Sequence, residues 1–331
     1  MKTRVLGKNG PKVGAVGLGC MSFAGFYGPT DEKESHETLA AARDLGMNFL
    51  DTANVYGAGK SETVIGTFLK GKKGDFKIAT KVGIKRAPGA TERTFDNSED
   101  YIRGELEGSL KRLGIDHVDL YYIHRRDMNI PIEEVTETLA KLKKEGKIGG
   151  IGYSEISPAS LRRAQAVHPV TAVQNEYSLW TRMPELGMVQ ACEELGVTFV
   201  PFSPVGRGIF ASKAPDPATF ADVDFRKNNP RFVEPNYACN LKALEPFNEM
   251  AADRGVTPAT LAIAWVLAQG DKSMVPIPGT RSVKHLKECA AADDMNLTAD
   301  DLADIEKILP VGWAHGARYT HNQMWGTETY C

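Results

Sequence analysis

A (β/α)8 barrel, an α/β fold built on a closed parallel sheet, is predicted by three features of the chain. Eight short apolar runs alternate with stretches that carry apolar residues at helical spacing; such alternation favours a parallel sheet. Most of these runs are continuously apolar, as strands covered on both faces require. Eight such units in about 300 residues match the usual barrel length. The competing architecture, a doubly wound open sheet, would carry GxGxxG after its first strand, and none follows Val16-Gly-Leu-Gly-Cys20.

The elements follow in order. Residues 3–14 hold Asn9-Gly10 between short apolar-containing runs, a hairpin signal, so a β-hairpin cap is expected before the barrel. The first strand, 16–20, leads into a glycine- and aromatic-rich loop, 21–29. Asp31 is the expected N-cap of a helix carrying Leu39, Ala42 and Leu45, with Gly46 as its stop. Strand 47–51 precedes helix 61–70, strand 76–81 precedes helix 98–113, and strand 118–123 precedes helix 131–146. Strand 148–153 is followed by helix 158–167, strand 171–174 by helix 184–195, and strand 197–201 by a long segment, 206–237. That segment is rich in Pro, Asn, Asp and Lys and reads as a long loop after the seventh strand. Helices near 240–254 and 257–268, strand 274–278, and helices at 282–292 and 298–308 complete the pattern before a polar, aromatic tail. With no internal boundary, residues 1–331 are expected to form one domain.

Of the 331 residues 42% are hydrophobic, enough for a sizeable core, and the formal net charge is -2. That balance gives no electrostatic case for nucleic acid or an anionic membrane. The five cysteines, Cys20, Cys192, Cys239, Cys289 and Cys331, show no CxxC or metal spacing and read as free thiols of a reducing compartment. Residues 1–7 lack a signal-peptide apolar region, and no apolar run approaches the ~20 residues of a membrane span. A soluble cytoplasmic protein is expected.

Every strand of a barrel ends at one face. Asp51 ends the second strand, Tyr56 lies just beyond it, Lys81 ends the third strand and His124 the fourth. A phenol has a pKa of roughly 10, and a nearby ammonium lowers that value by favouring the phenolate. The four together would make a tuned general acid for a carbonyl oxygen. Singly, a loop Tyr is more often packing, a strand-end Lys a solvated end, and a strand-end His a satisfied core residue. Their convergence carries the chemistry.

Six stretches then occur in a telling order: Asp51-Thr-Ala-Asn-Val-Tyr56-Gly, Thr80-Lys81, Asp119-Leu-Tyr-Tyr-Ile-His124-Arg, Gln174-Asn-Glu-Tyr-Ser, Ser203-Pro-Val-Gly-Arg-Gly208 and Ile277-Pro-Gly-Thr-Arg-Ser282. Together they resemble the aldo-keto reductase superfamily, from the hairpin to the helix at 282–292. Glu176-Tyr-Ser-Leu-Trp180 is most similar to its longer, pyridoxal-reductase-like branch. The resemblance implies a nicotinamide-dependent enzyme that moves a hydride between C4 of the cofactor and a small-molecule aldehyde or ketone, or an alcohol in reverse. It makes Tyr56 the acid, Lys81 the cation that lowers its pKa, Asp51 the partner that orients Lys81, and His124 the group that positions the carbonyl.

It also implies the cofactor contacts. Ser154 and Gln174 hydrogen-bond the nicotinamide carboxamide; the family often has Asn after that serine, and here stands Glu155. Phe202 takes the place of the tyrosine that stacks under the nicotinamide. Ser203, Gly206, Arg207 and Gly208 wrap the pyrophosphate. Gly279, Thr280 and Arg281 precede a helix whose N-terminus suits an anion, which favours the 2′-phosphate of NADP(H) over NAD(H). Near that end, His285 stands where a basic residue is frequent, Glu288 is retained, and Cys289 replaces an asparagine. Substrate-lining candidates are Met21, Phe23, Phe26 and Tyr27, with Arg125, Arg126 and Trp180. The tail aromatics Trp313, Tyr319 and Trp325 either close the pocket or pack on the barrel wall.

Two other functions compete with this one. A nucleotide-sensing regulatory subunit could use the same scaffold. A metal-dependent barrel hydrolase needs a ligand cluster, whereas His36, His117, His168, His285, His315 and His321 fall mostly on helices, turns or the tail. No metal is expected.

Overall fold

The computed structural model describes residues 1–71, 74–85, 93–222, 224–270 and 273–330. Cys331 lies outside the described residues. Seven parallel strands pair in sequence order: Leu18–Gly19, Phe49–Asp51, Lys77–Val82, Leu120–Ile123, Ile151–Ser154, Ala172–Gln174 and Thr198–Phe199. Residues 274–279 fill the eighth position. The Val275 and Ile277 N–H groups donate to Phe199 and Pro201 oxygens, each at 3.0 Å. On the other side, Gly17 and Gly19 N–H groups donate to Pro276 and Pro278 oxygens at 2.9 and 3.0 Å. Pro276 and Pro278 have no N–H, so this strand shows only isolated bridges to its neighbours, yet the sheet closes. The closure is tight: a Cβ on Gly19 would stand 2.9 Å from the Ile277 oxygen.

Alternation along the strands divides the core. Leu120 and Tyr122 point into the lumen with Phe49, Ala79, Ala172, Val200 and Val275. Tyr121 and Ile123 point outward into the larger apolar layer beneath the helices. Leu6 and Val13 of the N-terminal hairpin, Thr3–Val5 with Lys12–Gly14, join the lumen set and plug one mouth. Gly7 N–H donates to Thr198 Oγ1 at 2.7 Å and fixes that plug. The hairpin is not closed at Asn9-Gly10 as a two-residue turn. Its loop spans 6–11, with Leu6 N–H on the Pro11 oxygen at 3.0 Å and Gly10 N–H on the Leu6 oxygen at 2.9 Å.

The helices fall close to expectation. Asp31 caps Glu32–Asp44 by accepting the Glu34 N–H at 2.7 Å, and Leu39 and Ala42 are buried beneath it. The helix expected at 184–195 is divided at Gly187, φ +127, into a 3-10 turn Met183–Leu186 and an α-helix Met188–Leu195. After the seventh strand the long segment carries three 3-10 turns, Gly206–Gly208, Pro217–Thr219 and Pro230–Phe232, before the helix Asn236–Asp253. The antiparallel pair Ile84–Lys85 with Thr94–Phe95, the 3-10 turn Met21–Ala24 and a short tail helix, His321–Met324, have no counterpart in the sequence pattern. Among the described residues no helix is long and apolar enough to cross a membrane.

Candidate active site

At the mouth opposite the hairpin, Asp51 and Lys81 are almost fully buried, 2% and 0% exposed. The Lys81 Nζ donates to Asp51 Oδ1, to the Thr52 oxygen at 2.9 Å and to the Tyr56 hydroxyl at 3.5 Å. Three successive left-handed residues, Gly57, Ala58 and Gly59, turn the chain from that strand into the helix Lys60–Leu69. Gly57 is required there, since a Cβ would meet Ala24 Cβ at 2.9 Å. The turn leaves Tyr56 over the mouth, its ring 5.7 Å from His124 and nearly perpendicular to it. The four residues read from separate strand ends therefore meet.

Burial is the strongest influence on the Tyr56 phenol and holds its pKa above the usual value; Lys81 pulls it down and Asp51 pushes it up. Lys81 acts in the expected direction, but burial outweighs it. The ammonium is shared with Asp51 and Thr52 and stands too far from the phenol oxygen to outweigh desolvation. Burial also works against the charge on Lys81, but the Asp51 carboxylate and the phenol prevail and keep it raised. Burial, then Arg125 and Lys81, drive His124 well below its ordinary pKa, so its imidazole is neutral. Its buried Nδ1 has no hydrogen-bond partner among the described residues.

Ser154 and Gln174, on the neighbouring strand ends, tie into this group. Gln174 Nε2 donates to Asp51 Oδ2 at 2.8 Å, and Ser154 Oγ accepts from Arg125 Nη1 at 3.1 Å. Phe202 is half-buried at the end of the lumen, bridged to Glu176 and Ile277. The loop beyond it departs from expectation. Ser203, Gly206, Arg207 and Gly208 all have positive φ, but Gly206 and Gly208 N–H groups are satisfied within the loop by Ser203 and Val205 oxygens at 2.9 and 3.0 Å. Arg207 turns inward, to Glu176 Oε2 at 3.0 Å and the Arg318 oxygen at 2.8 Å, and faces the Tyr319 ring at 4.6 Å. The buried Glu176 carboxylate demands that cation, so Arg207 offers no free charge to an anion here.

The other end of the expected cofactor path is open. Gly279 is exposed, and the Thr280 hydroxyl accepts the Ser282 N–H at 3.0 Å. Ser282 caps the helix Val283–Ala290, His285 is exposed and Glu288 half-buried. Arg281 donates to the Tyr27 oxygen at 3.2 Å and stands 3.7 Å from Glu34 Oε2. A nicotinamide dinucleotide fits these residues at both ends. The Ser154 hydroxyl and the Phe202 ring would face one end, beside the unpartnered His124 Nδ1; a capped helix start beside Arg281 would face the other.

The substrate candidates separate. Phe26 meets the Tyr56 ring edge-on at 5.9 Å, and Met21 is half-buried on the same loop. Arg125, 6% exposed, binds the His124 oxygen at 2.6 Å and has a buried Nε without a partner among the described residues. Arg126 turns away to the Ile130 oxygen and Glu328. Tyr27 packs on Phe225 at 5.4 Å and beneath Arg226, joining the first loop to the long one. Phe23 is wholly buried in the layer between strands and helices, so it does not line the mouth. Trp180 is likewise withdrawn: it packs against Phe232 and Trp313, under Arg231. Trp313 seats the tail through its indole N–H on the Leu179 oxygen at 2.7 Å. Reading from sequence missed Glu176, Arg318, Glu328 and Tyr330, which join strand ends to tail; Glu155 in place of Asn was the one available signal.

The chain is also similar to known proteins in sequence and in fold. The model described as the Aldo/keto reductase family matches residues 15–310. The NADP(+) aldo-keto reductase yakc of Schizosaccharomyces pombe is 40% identical over 322 residues, covering 96% of this chain and 94% of its own. Probable aldo-keto reductase 1 of Glycine max is 42% identical over 316 residues, covering 95% and 90%. A solved glycerol dehydrogenase from Gluconobacter oxydans superposes with a TM-score of 0.84 at 30% identity, covering 93% of this chain and 94% of that one. With a family match across most of its length and its strand-end residues gathered at one mouth, the chain belongs to the aldo/keto reductase family.

Proposed function

We infer that the protein is an NADP(H)-dependent oxidoreductase that interconverts a small aldehyde or ketone and its alcohol. The observation that carries this is the meeting of Tyr56, Lys81, Asp51 and His124 at one mouth, beside Ser154 and Gln174. Bound NADPH supplies the hydride. The Tyr56 phenol, kept protonated by burial, gives its proton to the carbonyl oxygen. The phenolate left behind faces the Lys81 ammonium at 3.5 Å, and in the alcohol direction it takes the proton back. Neutral His124 holds the oxygen by hydrogen bonding rather than by charge. Ser154 and Gln174 orient the carboxamide, Phe202 supports the ring, and Arg281 with its helix start receives the 2′-phosphate.

Preference for NADP(H) rests on Arg281 and on the name of the Schizosaccharomyces pombe relative. A cytoplasmic location is supported by the free state of Cys20, Cys192, Cys239 and Cys289. A single working domain is supported by the tail's packing on the barrel. The test is NADPH oxidation against a panel of aldehydes and ketones. Tyr56→Phe should bind NADPH like the parent and lose about 10²–10⁴ in turnover. Full turnover in that variant would remove the assigned acid.

A further inference from the structure

Beside the expected carboxamide contacts lies a buried set of charges that the reaction does not use. Glu155, Glu176, Arg207 and Arg318 are 3%, 4%, 6% and 8% exposed. Arg318, from the C-terminal tail, donates to Glu155 Oε2 through Nη2 and to Glu176 Oε2 through Nη1 at 3.1 Å. Arg207 completes the set on Glu176 and also holds the Arg318 oxygen, as does Asn229 Nδ2 at 2.8 Å. Two carboxylates thus face two guanidiniums within hydrogen-bond reach, and losing Arg318 leaves the buried Glu155 carboxylate with no hydrogen-bonded guanidinium among the described residues.

Glu155 is the residue that needs holding. Its φ is +56, a left-handed conformation that costs a residue bearing a Cβ roughly 1–2 kcal/mol. Neighbours on every side fix it. Its N–H donates to Asn175 Oδ1 at 2.8 Å and to the Gln174 oxygen at 3.0 Å. Its Oε1 accepts the Glu176 N–H at 2.8 Å, and its backbone oxygen accepts the tail's Glu328 N–H at 2.9 Å. Asn175 in turn reaches the tail's Tyr330 hydroxyl at 2.7 Å. The strand ends bearing Ser154 and Gln174 are therefore clamped to each other through Glu155, and the clamp is locked from the tail.

We propose that Arg318 is a positioning residue for the nicotinamide half of the cofactor site: by holding Glu155 it sets Ser154 against Gln174, the pair that orients the carboxamide. The proposal rests on the reading of Ser154 and Gln174 given above. It predicts a loss confined to one half of the cofactor. The adenine half is received at Arg281 and the helix Val283–Ala290, which share no contact with Glu155.

The experiment compares NADPH with adenosine 2′,5′-bisphosphate, which lacks the nicotinamide, by fluorescence titration of the parent, Arg318→Met, Arg318→Lys and the double variant Glu155→Asn with Arg318→Met. Arg318→Met should weaken NADPH binding about tenfold or more, the usual size of losing a hydrogen bond to a buried charge. Binding of the bisphosphate should stay within about twofold, below the tenfold that each 1.4 kcal/mol represents. The double variant should recover most NADPH affinity, because Asn tolerates the left-handed conformation and strands no carboxylate. If Arg318→Met does not fold, Arg318→Lys carries the same comparison, since a single ammonium cannot span both carboxylates as the fork does. Equal loss for both ligands would mark a general structural role and overturn the proposal, as would unchanged NADPH binding in a folded Arg318 variant. A parent protein that binds the bisphosphate but not NADPH would instead sink the reading of Ser154 and Gln174.

Discussion

Lys81→Met tests whether the buried pair beneath Tyr56 is organised as described. In the parent, Lys81 has no exposed surface and Asp51 only 2%. Removing the ammonium leaves the Asp51 carboxylate with Gln174 Nε2 at 2.8 Å as its remaining side-chain donor. Breaking a buried pair from one side costs about 3–5 kcal/mol, because the surviving charge is neither solvated nor matched. At about 2.1 cal/mol/K per residue the unfolding entropy of 331 residues is about 0.7 kcal/mol/K, so the melting temperature should fall by about 4–7 °C. Asp51→Asn with Lys81→Met removes both charges, and most of that loss should return. Turnover should not return, since the phenol then lacks the cation that faces its conjugate base. Calorimetry and NADPH oxidation on the four members of the cycle measure both effects. A single variant as stable as the parent, or a double variant no better than the single, would refute the account of an uncompensated charge.

Three further outcomes follow from the site and its surroundings. Arg281→Ala should raise the KM for NADPH by about tenfold, the scale of one charge-assisted contact, and barely change that for NADH; an equal response would remove the phosphate assignment. Because burial holds Tyr56 up and His124 down, carbonyl reduction should show no break at the ordinary imidazole value of about 6.5 and none at the ordinary phenol value of about 10; a break near 6.5 that vanishes in His124→Gln would show a charged imidazole at work. Asp301, bound by Arg254 and by the Thr298 cap, has its pKa lowered to about 2, so its stabilising effect is present above an unfolded value of about 3.9 and is lost as pH falls toward 2. The gap in melting temperature between the parent and Asp301→Asn should close over that range.

Where the fold was legible, one physical rule governed each residue. Asp31 and Gly46 bracket a helix because capping and left-handed stops are local requirements, and the structure places that helix at Glu32–Asp44. The lumen residues of Leu120–Ile123 follow from alternation in a strand covered on both faces. Legibility failed where tertiary context overrode the local signal. Asn9-Gly10 has the composition of a two-residue turn, yet Leu6 is drawn into the lumen and widens the loop to 6–11. The apolar run at 274–278 has the composition of a strand, but its two prolines reduce it to isolated bridges while their oxygens still close the barrel. Gly187 divides one forecast helix because its φ of +127 cannot continue an α-helical turn.

The same distinction explains the site. Asp51, Lys81 and His124 were readable because a barrel delivers strand ends to one face whatever the loops do, and Tyr56 followed from its place just past Asp51. Arg207, Phe23 and Trp180 were not, because the direction of a loop side chain depends on charges and cavities supplied from elsewhere. Arg207 lies in a glycine-rich loop that looks built for phosphate, but the buried Glu176 carboxylate lies within reach and draws it inward. That carboxylate also receives Arg318, 142 positions later in the chain, a pairing with no local pattern to reveal it. An unexpected residue such as Glu155 is informative for this reason. A buried acid at a strand end obliges some cation to come to it, so the proper search from sequence is for a distant arginine among aromatics. Arg318-Tyr319, in a tail whose aromatics left packing and pocket closure equally open, answers that description.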